Sequence, residues 1–190
     1  GELVQSATDY PFVFSVSDEL GMSSEVAGII SVDVLVLKIG DVLKMQVPSI
    51  IFRSDKADFV GKDEDPQKGL EQSVIDNNIR VLKRIAEILN KFKDYTVRIE
   101  GHANNVTGTE AEETSTANGN IPLVPLSEDR AETVRKMLIE FGVSAHRLST
   151  VGMGGRSPVV PHGDRDNWWK NRRVEFILNN DNWGELLSNE

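Results

Sequence analysis

Apolar and polar positions alternate in some stretches of this chain and recur every three or four residues in others. Tyr10–Val16 alternates weakly and reads as one strand, with Ser17 to Glu25 as a polar connection. Ile29–Ile39 is rich in β-branched residues, Gly40-Asp41 is a turn signal, and Val42–Val47 resumes the alternation, which predicts a β-hairpin. Pro48 interrupts, and Ile50-Ile-Phe52 reads as a short strand end. Residues Arg53 to Gly69 are polar and hold Gly61, Pro66 and Gly69, so they form a loop. Ile75, Ile79, Leu82, Ala86 and Leu89 then make one apolar stripe, predicting a helix over Glu71–Lys93. Tyr95–Gly101 alternates as a strand, with Val97 and Ile99 on one face.

Ala103 to Pro125 holds many Asn, Thr, Glu and Gly and reads as a long exposed loop. Ser127 is a good N-cap, with Glu128 and Asp129 in the positive first turn. Ala131, Val134, Leu138 and Phe141 supply the stripe of a second helix, Ser127–Phe141, closed by Gly142. Arg147–Val151 is a short strand entering the Gly152-Met-Gly-Gly155 turn, and Arg173–Leu178 is the last strand. Asp181–Glu190 has the pattern of one or two helical turns. From Val42 the order is β-α-β-α-β-β. It implies an α/β (α+β) two-layer sandwich, with two main helices on one face of a mixed sheet. Residues 1–41 form an N-terminal extension, 42–180 the domain and 181–190 a tail. The extra hairpin extends the main sheet or is the remnant of an upstream domain.

A length of 190 residues suits one domain with an appendage. Lys and Arg number 21 against 30 Asp and Glu, a net charge of −9, which argues against nucleic acid or anionic lipid as the partner. With no cysteine, disulfides, thiolate zinc sites and cysteine nucleophiles are excluded. The apolar runs are far shorter than a membrane span, and no signal peptide is visible. The chain opens on Gly1 and not on Met, so it reads as a mature or excised fragment, with any membrane attachment outside it.

No nucleophile–base pair, metal cluster or cofactor loop marks an enzyme, and no cofactor is expected. Gly152–Gly155 lacks the flanking residues of a phosphate loop and reads as a tight turn. His102 reads as a structural hydrogen-bonding residue, and His146 and His162 as isolated turn residues, not metal ligands. The Glu110–Glu113 cluster reads as solvated. Trp168-Trp169 either packs under the last loop or stacks on sugar rings.

Several pieces recur together at familiar spacings. They are Gly101-His102, Leu126-Ser-Glu-Asp-Arg-Ala131 with Val134 and Leu138, Gly142-Val143, Arg147-Leu148, Gly152-Met-Gly154, Pro158 and Asn171-Arg-Arg-Val-Glu175. This set resembles the OmpA-like C-terminal domains, a family that includes the peptidoglycan-associated lipoprotein and the flagellar stator protein MotB. Ile50-Ile-Phe52 looks like the family's first strand. The resemblance implies a βαβαβ domain that holds peptidoglycan noncovalently through the diaminopimelate of its stem peptide, which carries an ammonium and a carboxylate on one carbon. It assigns Asn104, Arg130, Asn171 and Arg173 to the ligand site. Of Arg172 and Arg173, one reaches the site and the other caps the sheet edge.

Arg130 stands at the family's carboxylate-binding arginine, and a guanidinium holds a carboxylate bidentately. Where the family has an Asp for the ammonium, this chain has Asn104, and losing that charge weakens binding by about 1–2 kcal/mol, roughly tenfold or somewhat more. Leu123 replaces a family Asn, in a loop about ten residues longer than usual; either Glu110, Glu112 or Glu113 in that loop replaces the lost carboxylate, or the loop covers the site. The resemblance therefore implies a periplasmic, cell-envelope protein with peptidoglycan or envelope proteins as partners. The alternative is an envelope interaction module that kept the fold and lost the ligand.

Overall fold

The apolar stripes of the two long helices meet one face of a sheet in the computed structural model, which describes residues 2–5, 9–31, 35–39, 42–47, 49–91 and 93–180. In chain order the strands are β1 (Glu2–Gln5), β2 (Asp9–Ser17), β3 (Ser23–Ser31), β4 (Leu35–Ile39), β5 (Val42–Gln46), β6 (Tyr95–Gly101), β7 (Leu148–Gly152) and β8 (Val174–Asn180). The helices are α1 (Gln72–Lys91), α2 (Glu110–Thr114), α3 (Leu123–Glu140) and α4 (Trp168–Asn171). The main sheet runs β1-β4-β5-β8-β6-β7. Only β6 and β7 are parallel neighbours, with α3 as their crossover; the other ladders are antiparallel. The N-terminal region thus extends this sheet through β1 and β4, while β2 and β3 form a separate antiparallel ribbon.

Leu82, Ile85 and Leu89 of α1 and Ala131, Val134 and Leu138 of α3 are buried against Met45, Val97, Ile99 and Phe176 of the sheet. A buried side chain of this size contributes roughly 1.5–3 kcal/mol, so these stripes hold the helices far more than helix propensity does. The two-layer mixed sandwich expected from the element order is the architecture observed.

Several local expectations need correction. Ile29–Ile39 is not one strand: its start belongs to β3, paired with β2, and its end to β4, paired with β1 and β5. β-branched content signals a strand but not which ladder it joins. The polar connection after β2 is only a tight turn at Asp18–Met22, where the Asp18 carboxylate accepts the Leu20 and Met22 amides at 2.9 Å each. The expected turn at Gly40-Asp41 and the helical tail at 181–190 lie outside the described residues.

Ile50–Phe52 forms no strand. The Ile51 N–H donates to Asn78 Oδ1 at 3.1 Å, and Asn78 Nδ2 donates back to the Ile51 carbonyl at 2.8 Å. One side-chain amide so replaces a strand neighbour. The same contact explains a rotation of α1. Asn78 is fully buried with Leu82, Ile85 and Leu89, while Ile75 and Ile79 are only half-buried.

The second long helix begins at Leu123, four residues before Ser127. Pro122 is its N-cap, and Pro125 fits within the first turn because an amide there has no intrahelical partner to lose. Ser127 is therefore interior and fully buried. Its hydroxyl donates to the Val124 carbonyl at 2.9 Å and accepts the Gly154 amide at 2.9 Å. Glu128, Asp129 and Arg130 lie beyond the helix's free amides, so no helix-terminal field acts at Arg130.

Candidate functional site

Two glycines bring α3 onto the carboxyl ends of β6 and β7. A Cβ on Gly101 would stand 1.9 Å from the Ser127 carbonyl oxygen, and one on Gly152 would stand 2.3 Å from that of Val124. Only glycine admits such a backbone approach. Beside this contact opens a cavity of about 990 Å³, at the strand carboxyl ends where ligands of α/β sheets gather.

Asn104, Arg130 and Arg173 line this cavity, and so does Arg172. Arg130 is 8% exposed. Its Nε donates to the Lys56 carbonyl at 3.0 Å and its Nη2 to the Arg53 carbonyl at 3.3 Å, and its guanidinium lies 5.3 Å from the Phe52 ring centroid. The loop after β5 thus supports the arginine without neutralising it. Burial, then the charge of Arg172, lower its pKa, and Asp55 opposes them; an arginine stays protonated under such pressure.

Arg173 serves the sheet edge as well as the cavity. Its Nε pairs with Glu175 at 2.5 Å, and its Nη2 donates to the Ser157 carbonyl at 3.1 Å. Arg172 is exposed, and neither it nor Arg130 forms an ion pair among the described residues. Four arginines and two carboxylates, Asp55 and Glu112, line the cavity; Arg53 is paired with Asp58 and Asp65 and Arg173 with Glu175, which leaves Arg130 and Arg172 as its cations without an ion-pair partner among the described residues.

Asn171 does not line the cavity; it lies fully buried beside Asn104. Its Oδ1 accepts the Val159 and Val160 amides at 2.8 and 3.0 Å. Its Nδ2 donates to the Val160 carbonyl at 3.0 Å and to Asn104 Oδ1 at 2.8 Å. All four bonding directions of this amide are used inside the protein.

The segment after β6 is exposed over residues 106–111, as expected of a long loop, but not throughout. Ala103, Asn104, Asn105 and Glu113 are buried. Glu113, on α2, accepts the Gly155 amide at 3.0 Å on each oxygen and Asn105 Nδ2 at 2.7 Å. The three glutamates thus part ways. Glu113 is structural, and Glu110 pairs with Arg156 at 2.5 Å. Glu112 lines the cavity while accepting the Val106 and Thr107 amides and the Thr107 hydroxyl. Burial raises the Glu112 pKa, but the Thr107 and Val106 hydrogen bonds outweigh it and bring it below the ordinary value.

Leu123, the first residue of α3, also lines the cavity. Trp168 is half-buried with its indole N–H on the His162 carbonyl, and Trp169 is 52% exposed at the rim. The support that Phe52 and the Lys56 and Arg53 carbonyls lend Arg130 left no mark in the sequence pattern, since backbone acceptors carry no residue signature.

On the sheet face away from the helices, Glu100 and Glu175 are register partners, and each has a carboxylate oxygen 3.6 Å from His102 Nε2. These ligand atoms lie within 4.8 Å of one another, close enough to meet at a metal ion. The carboxylates already hold cations: Arg98 on Glu100, Lys44 and Arg173 on Glu175. Burial raises the Glu175 pKa, yet the Lys44 and Arg173 hydrogen bonds prevail and keep it low. His102 is 2% exposed, and neither ring nitrogen has a hydrogen-bond partner among the described residues. Burial, then the Arg173 charge, lower its pKa to about 4 against the pull of the two glutamates.

Comparison with known proteins places this architecture. The model of the OmpA family matches residues 71–172. The peptidoglycan-binding protein ArfA of Mycobacterium tuberculosis is 33% identical over 107 residues, which cover 56% of this chain and 29% of that protein. The peptidoglycan-associated lipoprotein of Mesorhizobium japonicum is 35% identical over 97 residues, 51% of each chain. A crystal structure of the periplasmic domain of Helicobacter pylori MotB superposes with a TM-score of 0.56 at 22% identity, covering 81% of this chain and 94% of that one, a likeness of fold. The chain therefore spans about half or less of these two sequence relatives, and over the matched segment it belongs to the OmpA family.

Proposed function

We propose that the cavity between the carboxyl end of β6 and α3 binds the diaminopimelate stem peptide of peptidoglycan noncovalently, as a binding module and not an enzyme, and that it tethers an envelope protein to the cell wall in the periplasm. The observation that carries this reading is the buried, unpaired Arg130 facing an open cavity. Arg130 Nε and Nη2 are held by carbonyls, which aim the guanidinium without consuming its charge. Two matched relatives are named for binding to, or association with, peptidoglycan, which supports that polymer as the ligand. On this reading Arg173 supports the rim, Asn171 sets Asn104, residues 42–180 are the binding unit, and 1–41 and 181–190 are appendages.

The test is co-sedimentation with purified sacculi of wild type and Arg130→Lys, a change that keeps the charge but loses the fork. Wild type should pellet with the sacculi and Arg130→Lys much less, at similar thermal stability. Wild type remaining in the supernatant would refute the proposal.

A second reading has its own support. The β2–β3 ribbon exposes Val13, Phe14, Leu20, Met22 and Val26, and two strands alone are marginally stable in water. An envelope interaction module without peptidoglycan binding would use that ribbon and leave the cavity idle.

A further inference from the structure

The cavity is larger than the amino-acid group assigned to it. Its volume of about 990 Å³ lies at the top of the range, about 300–1,000 Å³, in which pockets enclose whole small molecules. Arg130 and Asn104 account for one part of the wall. Another part is built by α4 and the long segment after β6, where Trp168 and Trp169 line the cavity with Glu112 and Asn120. Trp168 is tied to that side: its indole N–H donates to the His162 carbonyl, and the His162 charge acts on Glu112. The two tryptophans differ. Trp168 is half-buried with its one polar atom satisfied, as a packed residue requires. Trp169 is 52% exposed, and its indole N–H has no acceptor among the described residues. A large aromatic left in water at a cavity mouth offers a ligand contact area that the fold does not use.

The surroundings set the chemistry of that ligand. Each ring already carries a cation: Lys170 Nζ lies 5.5 Å from the Trp169 centroid, and the Arg165 guanidinium 5.8 Å from that of Trp168. A further cation is disfavoured there, so the Trp169 ring suits a neutral, apolar surface. The groups beside the rings are nevertheless polar. Asn120 Nδ2 donates to the Ser115 carbonyl at 2.6 Å, which leaves Oδ1 as an acceptor without a donor among the described residues, and that oxygen reaches solvent. Glu112 accepts three hydrogen bonds, so one of its roughly four lone-pair positions stays open. Arg172 is exposed and unpaired. An acyl chain would strand these groups away from water. A pyranose ring satisfies both demands, with C–H groups on its face and hydroxyls along its edge. We infer that Trp169 is the platform of a glycan subsite: it stacks on a sugar ring of the peptidoglycan strand, while Asn120, Glu112 and Arg172 meet the polar groups at the ring edge. The inference rests on the stem-peptide reading above and deepens it. One cavity holds the stem through Arg130 and the sugar that bears the stem through Trp169. Of the two roles open to the tryptophan pair, Trp168 packs and Trp169 stacks.

The test titrates two ligands calorimetrically into wild type, Trp169→Ala and Trp169→Phe. One is a muropeptide of a single disaccharide and a diaminopimelate-containing stem; the other is the same stem freed from its sugars. Wild type should bind the muropeptide about tenfold more tightly than the free stem, the gain from covering one indole face. Trp169→Ala should bind both ligands as wild type binds the free stem. Trp169→Phe keeps a smaller ring and should retain part of the margin, which separates loss of stacking from a fault in folding. Equal binding of the two ligands by wild type, or an unchanged margin in Trp169→Ala, would overturn the inference and leave the stem-peptide site standing. Muropeptide binding that needs Trp169 but is unchanged in Arg130→Lys would support the glycan subsite and sink the stem-peptide reading. Binding of neither ligand would overturn both.

Discussion

Replacing Asn171 with leucine keeps the side-chain volume and removes the polar hub behind the cavity. Four groups lose their partner: the Val159 and Val160 amides, the Val160 carbonyl and Asn104 Oδ1. A buried polar group left unpaired costs about 1–3 kcal/mol. Val159 is 55% exposed, so its amide can turn to water, and Val160 is half-buried, so its groups are partly rehydrated. Asn104 Oδ1 carries the full cost. The sum is about 3–4 kcal/mol, which for a chain of this size lowers Tm by roughly 6–15 °C. Scanning calorimetry of wild type and Asn171→Leu at pH 7 measures this directly. A loss under about 2 °C would refute the reasoning and show that water or a ligand, not Asn171, satisfies those groups.

Other consequences follow from the same geometry. His102 has a folded-state pKa near 4, below its ordinary 6.5, so the stability it contributes is fully present above pH 6.5 and is lost as pH falls toward 4. That loss amounts to up to about 3 kcal/mol, and urea denaturation between pH 7 and pH 4 should be markedly flatter for His102→Gln. Gly101→Ala should destabilise strongly, by about 3 kcal/mol or more, because its methyl meets the Ser127 carbonyl and the backbone must part; a Tm unchanged in Gly101→Ala would contradict that close approach. Glu113→Ala should cost about 2–4 kcal/mol in denaturant titrations, since the Gly155 amide and Asn105 Nδ2 both lose their acceptor in a buried place.

How far the fold was legible in the sequence depends on what kind of group each segment buries. Apolar periodicity located α1, the core of α3 and strands β6 to β8, because Leu82, Val134 and Phe176 bury hydrocarbon and nothing else. It misplaced the face of α1, where Asn78 takes a core position in order to bond the Ile51 backbone. It read Ala103–Pro125 as solvent-exposed throughout, which holds for residues 106–111 but not for Asn105 and Glu113, since these satisfy each other and the Gly155 amide in the interior, and a polar letter does not show whether its partner is water or protein. The start of α3 was placed late because Ser127 is a better cap by type than Pro122, yet the hydroxyl is needed against Gly154. Of the four residues that the family resemblance assigned to the site, Asn104, Arg130 and Arg173 line one cavity and Asn171 does not. The orientation of the Asn104 amide was beyond the sequence, since it follows from a chain of hydrogen bonds through Asn171 to residues 159 and 160.

The most direct test of peptidoglycan binding at this cavity is chemical-shift mapping by NMR, with a diaminopimelate-containing muropeptide added to the labelled chain. The account predicts shifts at the backbone amide of Asn104, the side-chain amide of Asn104, the Arg130 Nε–H and the Trp168 and Trp169 indoles, with the β2–β3 ribbon unchanged. Shifts confined to the ribbon, or none at millimolar ligand, would contradict it.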